Sequence, residues 1–332
     1  MSYLLAVDAG GTSSRAVILD RAGHCLGYGR AGGGNPISSG PALAAQAIVA
    51  ATRDALAPVA GTKDAAPQVG GALIAMAGAL TYASTEWIDR ELAPIGVTAP
   101  VRLESDLLAT FCSGGPELDG YAIVAGTGAA AVRVENGHVV ATADGLGWLL
   151  GDAGSGFWIG RYVVVEAVAA LDNRAEPTAL SDLLLAELGI PQTGERSGEG
   201  RLLSLATVIE RLYTLRPVQL AQFAPLAFQA AAAGDAAAAR ILREAERAIA
   251  TTLAALTDAS VRGPIVLGGG VLARMTELSE QLAASSATEA DPEVRRVPDG
   301  TIGAAVLALR AAGIPVDAAV FDTIATSLRA LL

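Results

Sequence analysis

The sequence contains very few basic side chains. Its 332 residues carry a formal net charge of −11 at pH 7, with one lysine, Lys63, and two histidines, His24 and His138. A protein that binds the phosphate backbone of nucleic acid needs a basic surface, so we predict no nucleic-acid partner. The single lysine follows Thr62 and not a glycine, so the chain has no Walker A motif.

Cysteine and histidine are too scarce for several kinds of catalytic site. Cys25 and Cys112 form neither a disulfide framework nor a metal-ligand cluster. His24 and His138 each follow a glycine at the start of a predicted strand, which favours a structural role. The chain also has no G-x-S-x-G motif. Any catalysis is therefore expected to use carboxylates, backbone amides and a metal ion.

Aromatic residues make up 4% of the chain and charged residues 17%, whereas hydrophobic residues make up 52%. This composition predicts a packed core built mainly from alanine, valine and leucine. The most suspicious uncharged stretch, residues 65–85, is interrupted by Pro67 and several glycines, and a membrane-spanning helix needs about 20 predominantly apolar residues. We interpret it as a buried strand with its loop. No signal peptide precedes the first strand, so we expect a cytoplasmic protein without a membrane partner.

The two halves of the chain begin with the same pattern. Each has three short apolar segments separated by two turns, with a glycine–threonine pair in the first turn and Gly-His after the second. The predicted strands are residues 4–8, 15–20 and 24–28 in the first copy, and 121–125, 129–134 and 138–143 in the second. This repetition predicts two lobes that each open with a three-stranded antiparallel meander.

Helices and strands alternate after each meander. The first half continues with a helix at 41–56, a strand at 69–75, a helix at 85–92, a strand at 101–104 and a helix from Ser105-Asp106 to about residue 113. The second half is mostly helical over 156–257, followed by a strand at 264–267, a helix from Val271, a strand at 294–297 and helices at 300–312 and 316–332. The pattern predicts an α/β protein with a cleft between the two sets of glycine turns.

Three glycine-rich segments in fixed order resemble the phosphate 1, phosphate 2 and adenosine motifs of the sugar kinase/Hsp70/actin superfamily. They are Asp8-Ala9-Gly10-Gly11-Thr12, Gly126-Thr127-Gly128 and Gly268-Gly269-Gly270. Within that superfamily the chain resembles the BadF/BadG/BcrA/BcrD ATPase family, and specifically its N-acetylglucosamine kinase members. The supporting segments are Gly34-Asn35, Glu104-Ser105-Asp106 and the glycine-rich run over 145–156.

The resemblance implies a two-lobed actin-like ATPase fold of the ribonuclease H-like type, in which each lobe is a mixed sheet with helices. We expect an N-terminal lobe at residues 1–115 and a C-terminal lobe at 116–332, with a helical insertion at about 156–257. It also implies ATP and Mg²⁺ as cofactors and a homodimer, for which the apolar C-terminal helix is a suggested contact surface.

The glycine turns suit phosphate binding for a physical reason. A turn without Cβ atoms can direct several backbone N–H groups at one phosphate. Gly10, Gly11 and Thr12 are expected to do so in one lobe, and Gly126, Thr127 and Gly128 in the other, while Gly268, Gly269 and Gly270 would pass close to adenosine. Asp8, at the end of the first strand, is expected to hold Mg²⁺ through water.

Three further residues are candidates for the sugar side of the site. Asp106 is the candidate general base for the sugar hydroxyl, although an aspartate at a helix start can also be a simple N-cap. Asp152 and Asn35 are expected to bind sugar hydroxyls, because a carboxylate that accepts two neighbouring hydroxyls gives strong recognition. Gly147 would let the backbone approach the sugar ring.

The expected reaction is phosphorylation of N-acetyl-D-glucosamine at its 6-hydroxyl. Glucosamine, N-acetylmannosamine and N-acetylmuramic acid remain alternative acceptors. A second class is an ATPase activator of a dehydratase, which needs cysteines for an iron–sulfur cluster; Cys25 and Cys112 do not match its pattern. A third class is a non-enzymatic sugar sensor, which usually carries a DNA-binding helix pair, and no extension precedes Leu4.

Overall fold

Five strands form a mixed sheet in the first half of the chain. They are β1 (Ser2–Ala9), β2 (Ser14–Leu19), β3 (Cys25–Ala31), β4 (Gln68–Met76) and β5 (Val101–Ser105), in the order β3-β2-β1-β4-β5. The first three strands are antiparallel, whereas β1, β4 and β5 are parallel. The structure is a computed structural model that describes residues 2–60, 68–78, 84–276, 278 and 293–332.

The second half repeats this sheet. Its strands are β6 (Gly120–Ala125), β7 (Ala129–Glu135), β8 (His138–Asp144), β9 (Ile265–Gly268) and β10 (Val294–Val297), in the order β10-β9-β6-β7-β8. Again the first three strands are antiparallel and β6, β9 and β10 are parallel. The predicted two-fold α/β architecture is confirmed, and the short sequence repeat marks a repeat of topology.

After the meanders the helices lie where helix was predicted, except for one short helix at residues 36–39 that was not predicted. Those of the first half are α1 (Pro36–Ser39), α2 (Pro41–Leu56), α3 (Glu86–Leu92) and α4 (Asp106–Ser113). Those of the second half are α5 (Gly156–Leu171), α6 (Ala179–Glu187), α7 (Leu203–Tyr213), α8 (Ala224–Ala232), α9 (Ala236–Ala254), α10 (Thr301–Ala311) and α11 (Ala318–Arg329).

One predicted helix differs from the structure, and parts of two predicted segments lie outside the described residues. After the third glycine segment the chain forms a short 3-10 helix, Leu272–Arg274, where the sequence predicted an α-helix from Val271. Residues 277 and 279–292, and residues 65–67 and 79–83 of the uncharged stretch at 65–85, lie outside the described part of the chain. In the described part, no helix is long and apolar enough to cross a membrane.

The last two helices pack against the first sheet. In α10, Gly303 lies so close to α4 that a Cβ atom there would be 1.7 Å from the carbonyl oxygen of Ala109. The Gly303 N–H also donates a 2.8 Å hydrogen bond to Ser113 Oγ. These helices share one core cluster with residues of β1, β2 and β4. The division at 115/116 remains a prediction, and the C-terminal helices contribute to the core beneath the first sheet.

The apolar face of α11 is covered within the chain. Ile324 and Leu328 are buried in the same cluster, and Ser327 Oγ accepts a 2.9 Å hydrogen bond from the N–H of Cys25. The helix therefore uses this face for intramolecular packing. The suggestion that α11 provides the apolar contact of a homodimer gains no support from this arrangement, and the homodimer itself remains a prediction.

Parallel strands bring two of the candidate carboxylates to one edge. In the register of the first sheet, Asp8 of β1 is paired with Ala75 of β4, and Met76 is paired with Ser105 of β5. The carboxyl ends of parallel strands are where α/β proteins bind ligands. Asp8 and Asp106, which follows Ser105 directly, therefore emerge at the same edge.

Candidate active site

The first glycine turn is packed against the segment that carries Asn35. The N–H of Gly10 donates to Ser13 O at 2.9 Å, which closes the turn, and Gly34 donates to Gly10 O at 3.0 Å. A Cβ atom at Gly33 would lie 2.4 Å from Gly11 O, so only glycine permits this approach. Residues 33–35 therefore pack against the first glycine turn and stabilise its conformation.

Asn35 caps a helix at this position. It is the N-cap of α1, and its Oδ1 accepts a 2.8 Å hydrogen bond from the N–H of Ile37. The residue is half-buried beside the first turn. Its predicted role in sugar binding is compatible with this location and remains a prediction.

The second glycine turn is braced by the N-terminus of α5. Gly126 donates to Gly128 O at 2.9 Å within the turn, and Gly156 donates back to Gly126 O at 2.7 Å. Phe157 donates to Thr127 O at 3.1 Å. The turn carbonyls therefore point towards the helix, and the opposite side of the turn is left for a ligand.

The third glycine segment lies directly against the second turn. Gly269 has a φ of +96°, and a Cβ atom there would lie 2.5 Å from Ala125 O and 3.0 Å from Gly126 N. A Cβ atom at Gly268 would lie 2.7 Å from Thr110 Cγ2, whereas one at Gly270 would meet nothing within 4 Å. Gly268 and Gly269 are thus needed for packing, and Gly270 faces open space.

All three glycine segments meet in one cleft of about 280 Å³. Its lining includes Thr12 of the first turn, Gly126 and Thr127 of the second, and Gly270 of the third. A larger surface cavity of about 420 Å³, near Thr178, contains none of the candidate residues. The chemistry suggested by the sequence therefore belongs to the smaller cleft.

Apart from Gly156, which ends the glycine-rich run over 145–156, the rest of the cleft wall carries no sequence signal that would have identified it. These lining residues come from the helical region and from the segment after the third turn: Gly156, Ala221, Ala224, Pro225, Phe228, Val271 and Arg274. One glycine explains why the 3-10 helix that carries part of this wall can pack close to α5. A Cβ atom at Gly160 of α5 would lie 2.0 Å from Leu220 O in the 3-10 helix Pro217–Phe223, which lets that helix approach.

Asp8 is almost fully buried, with 7% of its surface exposed. Its Oδ2 accepts a 3.1 Å hydrogen bond from Gly300 N and lies 3.6 Å from Arg15 Nη1. Arg15 Nε also lies 3.1 Å from Asp299 Oδ2. Burial and, to a smaller extent, the charge of Asp299 raise the pKa of Asp8, and Arg15 opposes them; together they place this pKa at about 7.

Sequence reasoning missed Arg15 and Asp299. The strand register pairs Asp8 directly with Arg15, so the predicted hairpin contained the signal for this contact. The loop before α10 contributes Asp299 and Gly300. Gly300 is 292 residues away from Asp8 along the chain. No local pattern indicates such a long-range contact.

Asp106 is the first residue of α4, but it is not the N-cap. Ser105 holds that position, and its Oγ accepts a 3.4 Å hydrogen bond from Leu108 N. Asp106 Oδ1 accepts at 3.0 Å from Leu107 N. Burial raises the pKa of Asp106 to about 6, and hydrogen bonds from backbone N–H groups oppose this shift. Its charge also raises the pKa of Asp8, so the two carboxylates share one environment.

Asp152 lies beside the second turn. Its Oδ1 accepts a 3.2 Å hydrogen bond from Ala129 N, and a Cβ atom at Gly128 would lie 3.0 Å from the carboxylate oxygens. The N–H of Asp152 donates to Asp144 Oδ1 at 2.7 Å, which pins the loop. Burial raises the pKa of Asp152, with a further contribution from the charge of Asp144.

The loop between β8 and α5 has an apolar tip. Gly147, with a φ of +82°, accepts at its carbonyl from Leu150 N at 3.1 Å and from Gly151 N at 2.8 Å. Large apolar side chains on this tip are exposed to solvent, namely Leu146, Trp148, Leu149 and Leu150. The Trp148 ring contacts the ring of Phe157 edge-on, with centroids 5.8 Å apart. Gly147 is therefore an element of loop geometry close to Asp152.

Comparison with known proteins identifies the family. The family model of the BadF/BadG/BcrA/BcrD ATPases matches residues 5–308. The chain belongs to the BadF/BadG/BcrA/BcrD ATPase family. The resemblance drawn from the three glycine segments is thereby confirmed.

Relatives of this BadF/BadG/BcrA/BcrD ATPase include two named sugar kinases. An N-acetyl-D-glucosamine kinase from Dictyostelium discoideum is 27% identical over 322 residues, which cover 92% of this chain and 97% of that protein. A glucosamine kinase from Vibrio cholerae is 25% identical over 256 residues, which cover 77% of this chain and 81% of that protein.

Solved structures establish the fold of this family member. A candidate N-acetylglucosamine kinase from Chromobacterium violaceum superposes with a TM-score of 0.71 at 23% identity, covering 93% of this chain and 99% of that one. A ROK family glucokinase from Streptomyces griseus, solved with glucose and AMPPNP, gives a TM-score of 0.56 at 18% identity, covering 93% and 100%. At such identities the similarity speaks for the fold alone.

Proposed function

We propose that this protein is an ATP-dependent amino-sugar kinase that phosphorylates the 6-hydroxyl of N-acetyl-D-glucosamine. The observation that carries the proposal is the meeting of three glycine segments in one cleft, with the carboxylates of Asp8 and Asp106 emerging at one sheet edge. Membership of an ATPase family and two sugar-kinase relatives support it.

The two threonine-bearing turns are suited to hold the nucleotide phosphates. In the part of the chain that the structure describes, no backbone carbonyl accepts a hydrogen bond from the N–H of Gly11, Thr12 or Thr127. Such N–H groups, together with threonine hydroxyls, are donors for phosphate oxygens. Gly10, Gly126 and Gly128 keep the turns narrow, and the cleft beyond Gly270 has space for the nucleoside.

Mg²⁺ fits this site as a companion of the phosphates. Among the described residues, no group of three or more His, Cys, Asp or Glu side chains is arranged to hold a metal ion alone. Mg²⁺ usually keeps several waters and takes one or two carboxylates plus substrate phosphates. Asp8, whose buried carboxylate has two acidic neighbours, would be its protein partner. Bound there, Mg²⁺ would neutralise charge on the phosphoryl oxygens.

Asp106 is assigned the role of general base. A raised pKa of about 6 keeps the carboxylate ionised at neutral pH while making it a better proton acceptor than an ordinary aspartate. It would accept the proton of the sugar 6-hydroxyl as that oxygen attacks the γ-phosphorus and the bond to the β-phosphate oxygen breaks. Because the transition state of phosphoryl transfer is loose, positioning supplies most of the acceleration.

The sugar would lie next to the phosphates that the first and second turns hold. Asn35 lies beside the first turn and Asp152 beside the second, so the two side chains approach from opposite lobes. The Asp152 carboxylate can accept hydrogen bonds from neighbouring sugar hydroxyls. Gly147 holds the loop that ends at Asp152, and the exposed apolar tip offers a surface for the acetyl methyl group.

A substrate panel tests the proposed function. Purified protein is incubated with Mg²⁺, ATP and single sugars, and ADP release is measured together with the phosphate position in the product. We expect N-acetyl-D-glucosamine to be the preferred acceptor and its 6-phosphate to be the product. Preference for glucosamine, N-acetylmannosamine or N-acetylmuramic acid would correct the acceptor, and no turnover with any amino sugar would refute the kinase.

The activity is expected to fall in acid. With Mg²⁺ and ATP saturating, kcat/KM for the sugar should decrease about tenfold per pH unit below pH 6 and be level between pH 7 and 8, because Asp106 must be deprotonated to act. Steady-state rates from pH 4.5 to 8.5 measure this. A profile without an inflection between pH 5 and 7 contradicts the assignment of Asp106 as base.

Replacing Asp152 by alanine should affect the sugar selectively. We expect KM for the sugar to rise by about 10²-fold, since a charge-assisted pair of hydrogen bonds is lost, while KM for ATP changes little. Steady-state kinetics with each substrate varied in turn check this. The matched control is Asp172→Ala, which removes a carboxylate at the far end of α5. Equal changes in both KM values would show that Asp152 has no specific role in sugar binding.

The buried cysteines argue against the ATPase-activator alternative. Cys25 Sγ donates to Ile324 O at 3.7 Å, and Cys112 Sγ accepts from Arg310 Nη1 at 3.4 Å. Burial raises the pKa of both thiols to about 11. Thiols of this kind are packing groups, whereas cluster ligands must be thiolates at an accessible position.

A further inference from the structure

The wall of the cleft beyond the third turn contains a cation–π contact. Arg274 ends the 3-10 helix Leu272–Arg274, and its guanidinium carbon lies 5.7 Å from the centroid of the Phe228 ring on α8. Both residues line the cleft. The pair therefore joins the segment after the third glycine turn to the helical region of the second lobe.

The side chains around this pair offer almost nothing that could read the edge of a nucleobase. Among the described lining residues, the polar side chains are Thr12, Thr127 and Arg274, and the two threonines belong to the phosphate turns. The remaining lining residues are glycine or apolar: Gly126, Gly156, Ala221, Ala224, Pro225, Phe228, Gly270 and Val271. No carboxylate or carboxamide of the described lining can accept or donate at a base edge.

The backbone next to Arg274 is also occupied. The N–H of Val271 donates to Ala125 O at 2.9 Å, and the carbonyl of Val271 accepts from Arg274 N at 3.0 Å. The carbonyl of Leu272 accepts from Arg296 Nη1 at 2.5 Å. These groups are therefore already used to hold the 3-10 helix, which leaves the Arg274 side chain as the group of the described wall best suited to bind a base.

Arg274 has the properties of a stacking surface. Its side chain is exposed, and it forms no ion pair with any residue in the described ranges. A guanidinium is planar, weakly hydrated and binds aromatic faces. Stacking on such a plane tolerates any base, because every base has a π-face. The partner ring of Phe228 holds the plane in place.

We propose that Arg274, supported by Phe228, binds the nucleobase by stacking and does not read its edge, so that purine nucleoside triphosphates in general serve as phosphoryl donors. This inference rests on the proposed kinase function and adds the donor class to it. With GTP, the sugar oxygen forms the new bond to the γ-phosphorus, GDP leaves, and the hydroxyl proton passes to Asp106, as with ATP.

A nucleotide panel tests this inference on the unmodified protein. Rates are measured with ATP, GTP and ITP at saturating N-acetyl-D-glucosamine and Mg²⁺. The three purine nucleotides should give kcat/KM values within about tenfold of each other. A preference for ATP over both GTP and ITP by 100-fold or more would overturn the proposal, because it requires a group that reads the adenine edge.

Variants separate stacking from charge. Arg274→Ala should raise KM for ATP and GTP alike by about tenfold and leave kcat nearly unchanged, since the group acts on the base and not on the reacting phosphate. Arg274→Lys keeps the charge but removes the plane, so it should resemble the alanine variant. Arg243→Ala on the exposed surface of α9 is the matched control. An unchanged nucleotide KM in both Arg274 variants contradicts the assignment.

Binding without sugar distinguishes this inference from the proposed function. Isothermal titration calorimetry of the protein with Mg²⁺ and ATP, and then with Mg²⁺ and GTP, needs no turnover. Equal affinities that both weaken in Arg274→Ala support the stacking site even if no amino sugar is phosphorylated. Binding of ATP alone, in a protein that does phosphorylate amino sugars, refutes the stacking site and leaves the kinase intact.

Discussion

Replacing Asp106 by asparagine is expected to lower kcat by about 10²- to 10⁴-fold, which is the usual contribution of a positioned general base. Asparagine has nearly the same shape and can still accept the hydrogen bond from Leu107 N, so α4 should keep its first turn. Affinity for sugar and nucleotide should change only a few-fold. The residual activity should also lose the acid inflection near pH 6.

The Asp106 variant needs a control for the loss of one negative charge. Asp322→Asn on the exposed side of α11 removes the same charge away from the cleft and should leave kcat unchanged. Single-turnover rates and equilibrium sugar binding separate chemistry from binding. Turnover close to that of the unmodified protein would take Asp106 out of the role of base, and loss of sugar binding with normal chemistry would make it a binding residue.

Replacing Asp8 by asparagine should change activity and stability in opposite directions. We expect activity to fall by about 10²-fold or more, because the carboxylate partner of Mg²⁺ is lost. Stability should rise at neutral and alkaline pH. The folded-state pKa of Asp8 is about 7, above its ordinary value of 3.8, so the folded protein pays to ionise it. That penalty is absent in strong acid, grows between pH 4 and 7, and is complete above pH 7.

The stability gain of Asp8→Asn is expected to be on the order of 2–4 kcal/mol at pH 8 and smaller at pH 5. Urea unfolding at both pH values, with EDTA present to remove divalent cations, measures it. The hydrogen bond from Gly300 N can be retained by the asparagine oxygen. Equal stability of variant and parent at pH 8 would mean that Arg15 already compensates the buried charge.

Local sequence patterns predicted the secondary structure and the two-lobed architecture. The helix from Asp106 to Ser113 and the helix from Pro41 to Leu56 have the predicted bounds. Repeated glycine–threonine turns predicted the two meanders, because turn residues and apolar segments of strand length are local signals. The strand order of the second sheet follows once the repeat is recognised, since both copies have the same topology.

The parts of the site that the sequence did not predict are contacts between segments that lie far apart in the chain. Asp299 comes to Arg15 because α10 packs on α4 and on the first sheet. The close approach to α4 depends on Gly303, and the sequence does not show which helix that glycine contacts. The nucleotide side of the cleft likewise depends on Gly160 and on the cation–π contact of Arg274 with Phe228. Such close approaches arise from tertiary packing, and no periodicity or turn motif encodes them locally.

The most direct measurement is a crystal structure of the protein with N-acetyl-D-glucosamine, Mg²⁺ and a non-hydrolysable ATP analogue. We predict an Asp106 carboxylate oxygen within about 3 Å of the sugar 6-hydroxyl, with the triphosphate between Thr12 and Thr127 and the sugar near Asp152. A sugar bound elsewhere, or a 6-hydroxyl that faces neither Asp106 nor the γ-phosphate, would contradict it.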